Sequence, residues 1–88
     1  MFRKVSPVGN FRIYPNPVTD ILYVENNNIE FDLDISLKDI QGRIIKRQIV
    51  KSGEQVAGID IQDLLPGLYF YECRSGNGEI FTGKFIKL

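Results

Sequence analysis

Apolar and polar residues alternate with a period of two along most of this chain. In residues 31–38, the apolar positions are Phe31, Leu33, Ile35 and Leu37. The positions between them are all polar. Successive side chains of a β-strand point to opposite faces of a sheet, whereas a helix repeats every 3.6 residues. The alternation therefore predicts a strand with one face in a core and the other in water.

Six further segments have the apolar, β-branched and aromatic composition of short strands. They are residues 11–14, 21–25, 43–50, 56–61, 68–74 and 79–87. In residues 43–50, the adjacent apolar pairs Ile44-Ile45 and Ile49-Val50 interrupt the alternation. Such an interruption predicts either a β-bulge or a strand that is buried on both sides. Residues 61–65 would suit a single helical turn, which is too short to change the fold class.

Turn signals rich in glycine, proline and polar residues separate the predicted strands. They lie at residues 39–42, 51–54, 65–67 and 75–78, and residues 26–28 form an asparagine-rich loop. Seven short strands joined at intervals of about 8–12 residues are typical of a two-sheet fold. The sequence therefore predicts an all-β protein, an antiparallel immunoglobulin-like β-sandwich.

The composition argues against several classes of function. Eleven basic and eleven acidic residues give a formal net charge of zero, which does not suit a general nucleic-acid-binding protein. Because the chain has no histidine, it cannot supply a Ser-His-Asp or Cys-His site by itself. The single cysteine, Cys73, rules out an intrachain disulfide and is expected to be buried. We expect no catalytic residue, metal, cofactor or small-molecule substrate, no membrane-spanning helix, and a monomer in isolation.

Four segments resemble parts of the type A C-terminal sorting domains of the bacterial type IX secretion system. They are Y-P-N-P-V-T-D at residues 14–20, D-I-Q-G-R at 39–43, I-D-I-Q-D-L-L-P-G-L-Y-F-Y at 59–71 and K-F-I-K-L at 84–88. The resemblance covers residues 11–88, and the order and spacing of the segments are more specific than any one of them.

One turn departs from the family's pattern, which often reads Leu-Pro, any residue, Gly, any residue, Tyr. Leu65 stands where that proline would be, and Pro66 follows it. Gly67 and Tyr69 keep their places, so we expect the turn itself to be preserved.

The resemblance implies a non-catalytic export signal at residues 11–88, at the end of a larger cargo protein. Residues 1–10 would be a linker from the preceding cargo region, and they lack the apolar stretch of a secretory signal peptide. The cargo would pass through the periplasm and reach the cell surface or the medium. Its partners would be outer-membrane type IX translocon components and a sortase-like surface protease, which would cleave the domain or attach the cargo to the surface.

The residues that we expect the translocon to recognise lie in two turns and on the last strand. They are Gly42, Arg43, Leu65, Pro66, Gly67, Tyr69, Lys84, Phe85, Ile86 and Lys87. Structural interpretations stand beside this one. The Tyr69 hydroxyl would bond the backbone as in a tyrosine corner, and the two lysines would protect a sheet edge from unwanted pairing. The Pro15-Asn16-Pro17 sequence is interpreted chiefly as a turn.

Two charged groups also have two interpretations each. A basic group would face an anionic partner or simply water; it consists of Arg43, Lys46, Arg47 and Lys51. An acidic group would hold calcium or line the outer face of a strand; it consists of Glu25, Glu30, Asp32 and Asp34. We favour the solvated interpretation for both, because the net charge is zero and no calcium loop of known spacing is present.

The alternative function is an immunoglobulin-like spacer or carbohydrate-binding module of a cell-surface protein. A sugar-binding face needs a row of exposed aromatic side chains, and the candidates are Tyr14, Tyr23, Tyr69 and Tyr71. The absence of tryptophan weakens this alternative. An enzyme is the least supported class, because no acid, base or nucleophile gathers around pairs such as Asp32 and Asp34 in the sequence.

Overall fold

A computed structural model describes residues 11–27, 30–53 and 56–88. The predicted linker at residues 1–10 lies outside the described residues, as do Asn28 and Glu54 of two predicted loops. Seven strands and no helix occur within the described ranges. The strands are β1 (Phe11–Tyr14), β2 (Ile21–Asn26), β3 (Leu33–Lys38), β4 (Ile44–Val50), β5 (Val56–Asp60), β6 (Gly67–Ser75) and β7 (Ile80–Lys87).

The strands form two antiparallel sheets that pack face to face. The three-stranded sheet has the order β1-β2-β5, and the four-stranded sheet has the order β4-β3-β6-β7. Both sheets contribute to one core, with Leu22, Val24 and Ile59 from the first and Ile35 and Phe85 from the second. The predicted antiparallel β-sandwich is confirmed.

The period-two alternation determines which side chains form this core. In β3 the apolar residues Leu33, Ile35 and Leu37 are buried, and the polar residues between them face outward. The strand begins at Leu33 rather than at the predicted Phe31, because Phe31 and Asp32 precede the ladder with β4.

The interruption in β4 is a β-bulge. Leu37 stands opposite Lys46, and the next residue, Lys38, stands opposite Ile44, so Ile45 is the extra residue. The other possibility, burial on both sides, is wrong, because Ile44 and Ile49 are exposed. The bulge allows two adjacent isoleucines to occupy one strand without breaking the pattern of its partner.

Two local predictions need correction. Asn26 does not lie in a loop: it is the last residue of β2, it is buried, and its amide donates a hydrogen bond to the carbonyl of Phe31 at 3.1 Å. That hydrogen bond satisfies a polar group inside the fold, which composition alone does not show. The suggested helical turn at residues 61–65 is an ordinary turn, closed by the Leu64 amide on the Ile61 carbonyl at 3.0 Å.

Candidate functional site

Two of the predicted recognition segments lie side by side at one end of the four-stranded sheet. Gly67, the first residue of β6, stands opposite Lys87, the last residue of β7. Two positions further in, Tyr69 stands opposite Phe85. The antiparallel register therefore brings the turn at residues 65–67 next to the C-terminus.

Tyr69 connects these two segments. Its hydroxyl donates a hydrogen bond to the Leu65 carbonyl at 2.6 Å, which confirms the predicted bond to the backbone. Its ring stacks on that of Phe85, with centroids 5.6 Å apart and an interplanar angle of 20°. Phe85 is only 1% exposed, so one tyrosine fixes the turn and also packs on the core at the end of β7.

A third segment, the turn after β1, reaches the same end from the other sheet. The Asn16 side chain accepts a hydrogen bond from the Ile86 amide at 3.0 Å and donates one to the Lys84 carbonyl at 3.3 Å. The Val18 amide donates to the Ile86 carbonyl, and the Leu88 amide donates to the Val18 carbonyl, both at 2.9 Å. We call these four hydrogen bonds the terminal clasp.

The terminal clasp covers part of the outer edge of the last strand, β7. β7 is an edge strand, as expected, but its C-terminal half is already occupied along the outer edge. Asn16 was interpreted as a turn residue. The sequence shows no signal for its hydrogen bonds to β7, because these partners are about 70 positions away.

The four predicted residues on β7 divide between the two faces of the sheet. Phe85 and Lys87 point inward and are buried, whereas Lys84 and Ile86 point outward and are exposed. The amine of Lys87 donates a hydrogen bond to the Leu88 carbonyl at 2.9 Å. Lys87 therefore does not protect the sheet edge as an exposed lysine would. Of these four residues, Lys84 and Ile86 are the ones whose side chains a partner could contact.

Gly42 and Arg43 form the turn between β3 and β4, at the same end of the four-stranded sheet. Gly42 has a φ of 86°, a conformation that favours glycine. The Asp39 carboxylate accepts hydrogen bonds from the amides of Gln41 (2.9 Å) and Arg43 (3.0 Å) and from the Arg43 guanidinium (2.8 Å). Partial desolvation raises the pKa of Asp39, but these hydrogen bonds outweigh it, and the net effect is a lowered pKa.

All four residues of the basic group and three of the four residues of the acidic group form ion pairs within the domain. Four ion pairs neutralise the basic group: Arg43–Asp39, Lys46–Asp63, Arg47–Asp34 and Lys51–Asp32. The hydrogen bond from Lys46 is the main cause of a lowered pKa at Asp63. Glu25 pairs with Arg12 on the other sheet, so it does not join Asp32 and Asp34. Among the described residues, no three cysteine, aspartate or glutamate side chains gather where they could hold a metal ion.

The four tyrosines do not form one row. Tyr14 and Tyr23 stack on the outer face of the three-stranded sheet, with centroids 5.8 Å apart. Tyr69 and Tyr71 lie on β6 of the other sheet and pack against the core. The geometry that a linear sugar-binding face needs is therefore not formed by these side chains.

Cys73 is buried in the core, as predicted. Desolvation raises the pKa of its thiol to about 12, so the thiol is neutral and unreactive at ordinary pH. It does not contribute to a chemical site. The described part of the chain has no helix that is long and apolar enough to cross a membrane.

Comparisons with known proteins agree with the fold and with the family resemblance. A family model described as a secretion system C-terminal sorting domain matches residues 12–88. A crystal structure of a DUF3244 family protein from Bacteroides vulgatus ATCC 8482, described as having an immunoglobulin-like β-sandwich fold, is similar with a TM-score of 0.76. It is 17% identical, and the similarity covers 90% of this chain and 85% of that one, so it shows the fold alone. No curated protein gives a significant match.

Proposed function

The chain belongs to the family of secretion system C-terminal sorting domains, and from this membership we propose that it directs a cargo protein across the outer membrane through the type IX secretion system. The observation that carries the proposal is the match over residues 12–88, which includes nearly every described residue. The domain would act as a folded shape that is recognised, and it would carry out no chemistry itself.

The arrangement of the four segments that carry the family resemblance supports this proposal. Three of them meet where β6 begins and β7 ends, joined by Tyr69 and by the terminal clasp. The fourth, the turn with Gly42 and Arg43, lies at the same end of the sheet. A receptor that binds this end of the sandwich would contact all four segments together, so a folded domain would be distinguished from an unfolded chain.

We further propose the route of the cargo. It would cross the periplasm, be handed to outer-membrane translocon components, and arrive at the cell surface or in the medium. A sortase-like surface protease would then remove the domain or use it to attach the cargo. No side chain of this domain would catalyse that cleavage.

A secretion assay tests the proposal. The full 88-residue chain is fused to the C-terminus of a periplasm-targeted fluorescent protein and expressed in a host with a type IX system. The control is the same host with the translocon deleted. We expect fluorescence at the surface or in the medium of the intact host only. Periplasmic retention of a folded fusion in both hosts would contradict the proposal.

A further inference from the structure

The outer face of the β6–β7 hairpin is apolar at the end that carries the terminal clasp. Leu68 and Ile86 stand opposite each other on this face, and Phe70 stands beside them. Their exposed fractions are 40%, 46% and 38%. We call Leu68, Phe70, Lys84 and Ile86 the hairpin patch. Three neighbouring large apolar side chains on an open sheet face form a feature that often marks an interaction surface.

Lys84 lies within this patch, directly opposite Phe70. Across residues 11–27, 30–53 and 56–88, every other lysine and arginine makes an ion pair or a hydrogen bond. Lys84 makes neither through its side chain, and it is exposed. Its charge is therefore available to a partner, whereas every other described lysine and arginine already has a polar partner.

The rest of the same sheet face shows the contrast. Beyond the hairpin patch, Glu72 accepts hydrogen bonds from Lys38 at 2.7 Å and from Arg74 at 3.0 Å. These two hydrogen bonds, that from Lys38 first, lower the pKa of Glu72. Arg47 pairs with Asp34 at 2.7 Å. Away from the hairpin patch, the charged side chains of this face pair with one another, although the buried Oδ1 of Asp34 has no hydrogen-bond partner among the described residues; the patch itself holds one unpaired cation among apolar side chains.

A shallow groove of about 400 Å³ marks the boundary of the hairpin patch. Phe70, Thr82 and Lys84 line it together with the Lys38–Glu72 pair. A side chain inserted there would contact the Phe70 ring and come within reach of the Lys84 amine. The groove therefore suits a side chain that ends in a carboxylate.

We propose that the hairpin patch is the surface by which the domain docks onto a folded protein partner, and that the partner presents aliphatic side chains around a carboxylate that pairs with Lys84. This inference rests on the proposed sorting function and names the chemistry of its receptor. Buried in an apolar contact, the Lys84–carboxylate pair would fix the orientation of the domain.

Charge selects this occupant over two others. In a symmetric dimer built on the hairpin patch, the Lys84 side chains of the two copies would come close to each other, and like charges repel. An anionic membrane surface attracts clusters of basic residues, whereas this patch has a single cation surrounded by apolar side chains. A partner with one carboxylate in an apolar surface fits both features.

The test uses the secretion assay with the full chain and five variants. Lys84→Glu reverses the charge, Lys84→Arg keeps it, and Phe70→Ser removes the apolar anchor. The matched controls are Lys51→Glu and Ile49→Ser, which change an exposed lysine directly after β4 and an exposed isoleucine of β4, both outside the patch. Urea unfolding of each purified variant shows that it is folded before its export is compared.

We expect Lys84→Glu and Phe70→Ser to lower the exported fraction about tenfold, as at an interface hot spot. Lys84→Arg and both controls should stay within about twofold of the original chain, since they keep the charge or lie outside the contact. If the original chain is exported only with the translocon present and both patch variants are exported equally well, the docking inference is overturned while the sorting function stands. If the original chain is not exported, the sorting function itself fails.

Two solution measurements separate the other occupants. Sedimentation equilibrium should give a monomer for the original chain; a dimer that Phe70→Ser abolishes would overturn the inference in favour of self-association. Flotation with phosphatidylglycerol vesicles should leave the protein unbound; binding that Lys84→Glu abolishes would overturn it in favour of a membrane surface.

Discussion

The β3–β4 turn and the terminal clasp lie at the same end of the four-stranded sheet, but they are stabilised in opposite ways. In the turn, the Asp39 carboxylate bonds the amide and the guanidinium of Arg43, four residues away. In the clasp, the Asn16 amide bonds the main chain of Lys84 and Ile86, 68 and 70 residues away. One is complete within five residues, and the other requires both ends of the domain.

This difference determines whether each feature indicates a completely folded domain. A local turn orders few residues and can form before the rest of the chain is folded. The terminal clasp forms only after the turn that follows β1 and the end of β7 have come together, so its presence indicates a complete sandwich. A receptor that recognises the clasped end would therefore select folded domains.

Truncating Phe85, the core residue beside the terminal clasp, should have the largest effect on stability. Phe85→Ala deletes a ring that is 1% exposed and stacked on Tyr69, and such truncations cost about 3–5 kcal/mol. A domain of this size has a total stability of about 5–10 kcal/mol. The urea midpoint should fall sharply or the domain should not fold. The neighbouring, outward-facing Ile86→Ala should cost less than about 1 kcal/mol; equal losses would contradict the burial of Phe85.

Asn16→Ala tests the clasp by itself. It removes two hydrogen bonds to the end of β7 and should lower the free energy of unfolding by about 1–2 kcal/mol. The Ile86 amide should exchange its hydrogen faster, because it loses its acceptor. The matched control is Asn77→Ala, since Asn77 also bonds through both side-chain atoms but only to Glu79, two residues away. We expect a smaller loss for it and unchanged exchange at Ile86.

The same contrast explains how much of the fold could be predicted from the sequence. The strands, the Gly42 turn and the bond from the Tyr69 hydroxyl depend on patterns within about ten residues, and the structure confirms them. The partners of Asn16 and the burial of Lys87 and Asn26 depend on which distant strands meet. No local pattern contains that information, because an asparagine between prolines is equally a turn residue with or without a partner.

The candidate site was predicted in part for the same reason. Tyr69 and Phe85 were both predicted to be recognised by the translocon, but only the antiparallel register shows that their rings stack. Leu68 and Phe70 were assigned to a strand and not to a surface. Their side chains point outward because β6 alternates, and this becomes visible only once Tyr69 is known to face the core.

Tyr69→Phe should have an intermediate effect on stability. Tyr69 makes a local hydrogen bond and also packs against the end of β7 that the terminal clasp holds. The substitution removes the hydrogen bond to the Leu65 carbonyl and keeps the ring on Phe85, so we expect a loss of about 1 kcal/mol in urea unfolding. Tyr71→Phe is the matched control, since the Tyr71 hydroxyl has no hydrogen bond within the described residues. A similar loss for both would show that the bond to Leu65 contributes nothing.

Asp39→Asn should have the smallest effect and should depend on pH. The folded pKa of Asp39 lies below its ordinary value of 3.8, so its contribution to stability is present above that value and is lost as the pH falls through the folded pKa. The side chain is at the surface, so water and salt weaken the contribution. The original chain should therefore have a slightly higher urea midpoint than Asp39→Asn at about pH 7, and the difference should be smaller at a second pH below 3.8. Because the turn is local, Asp39→Asn should leave hydrogen exchange at the Ile86 amide unchanged at both pH values; faster exchange there would show that the turn and the terminal clasp are coupled.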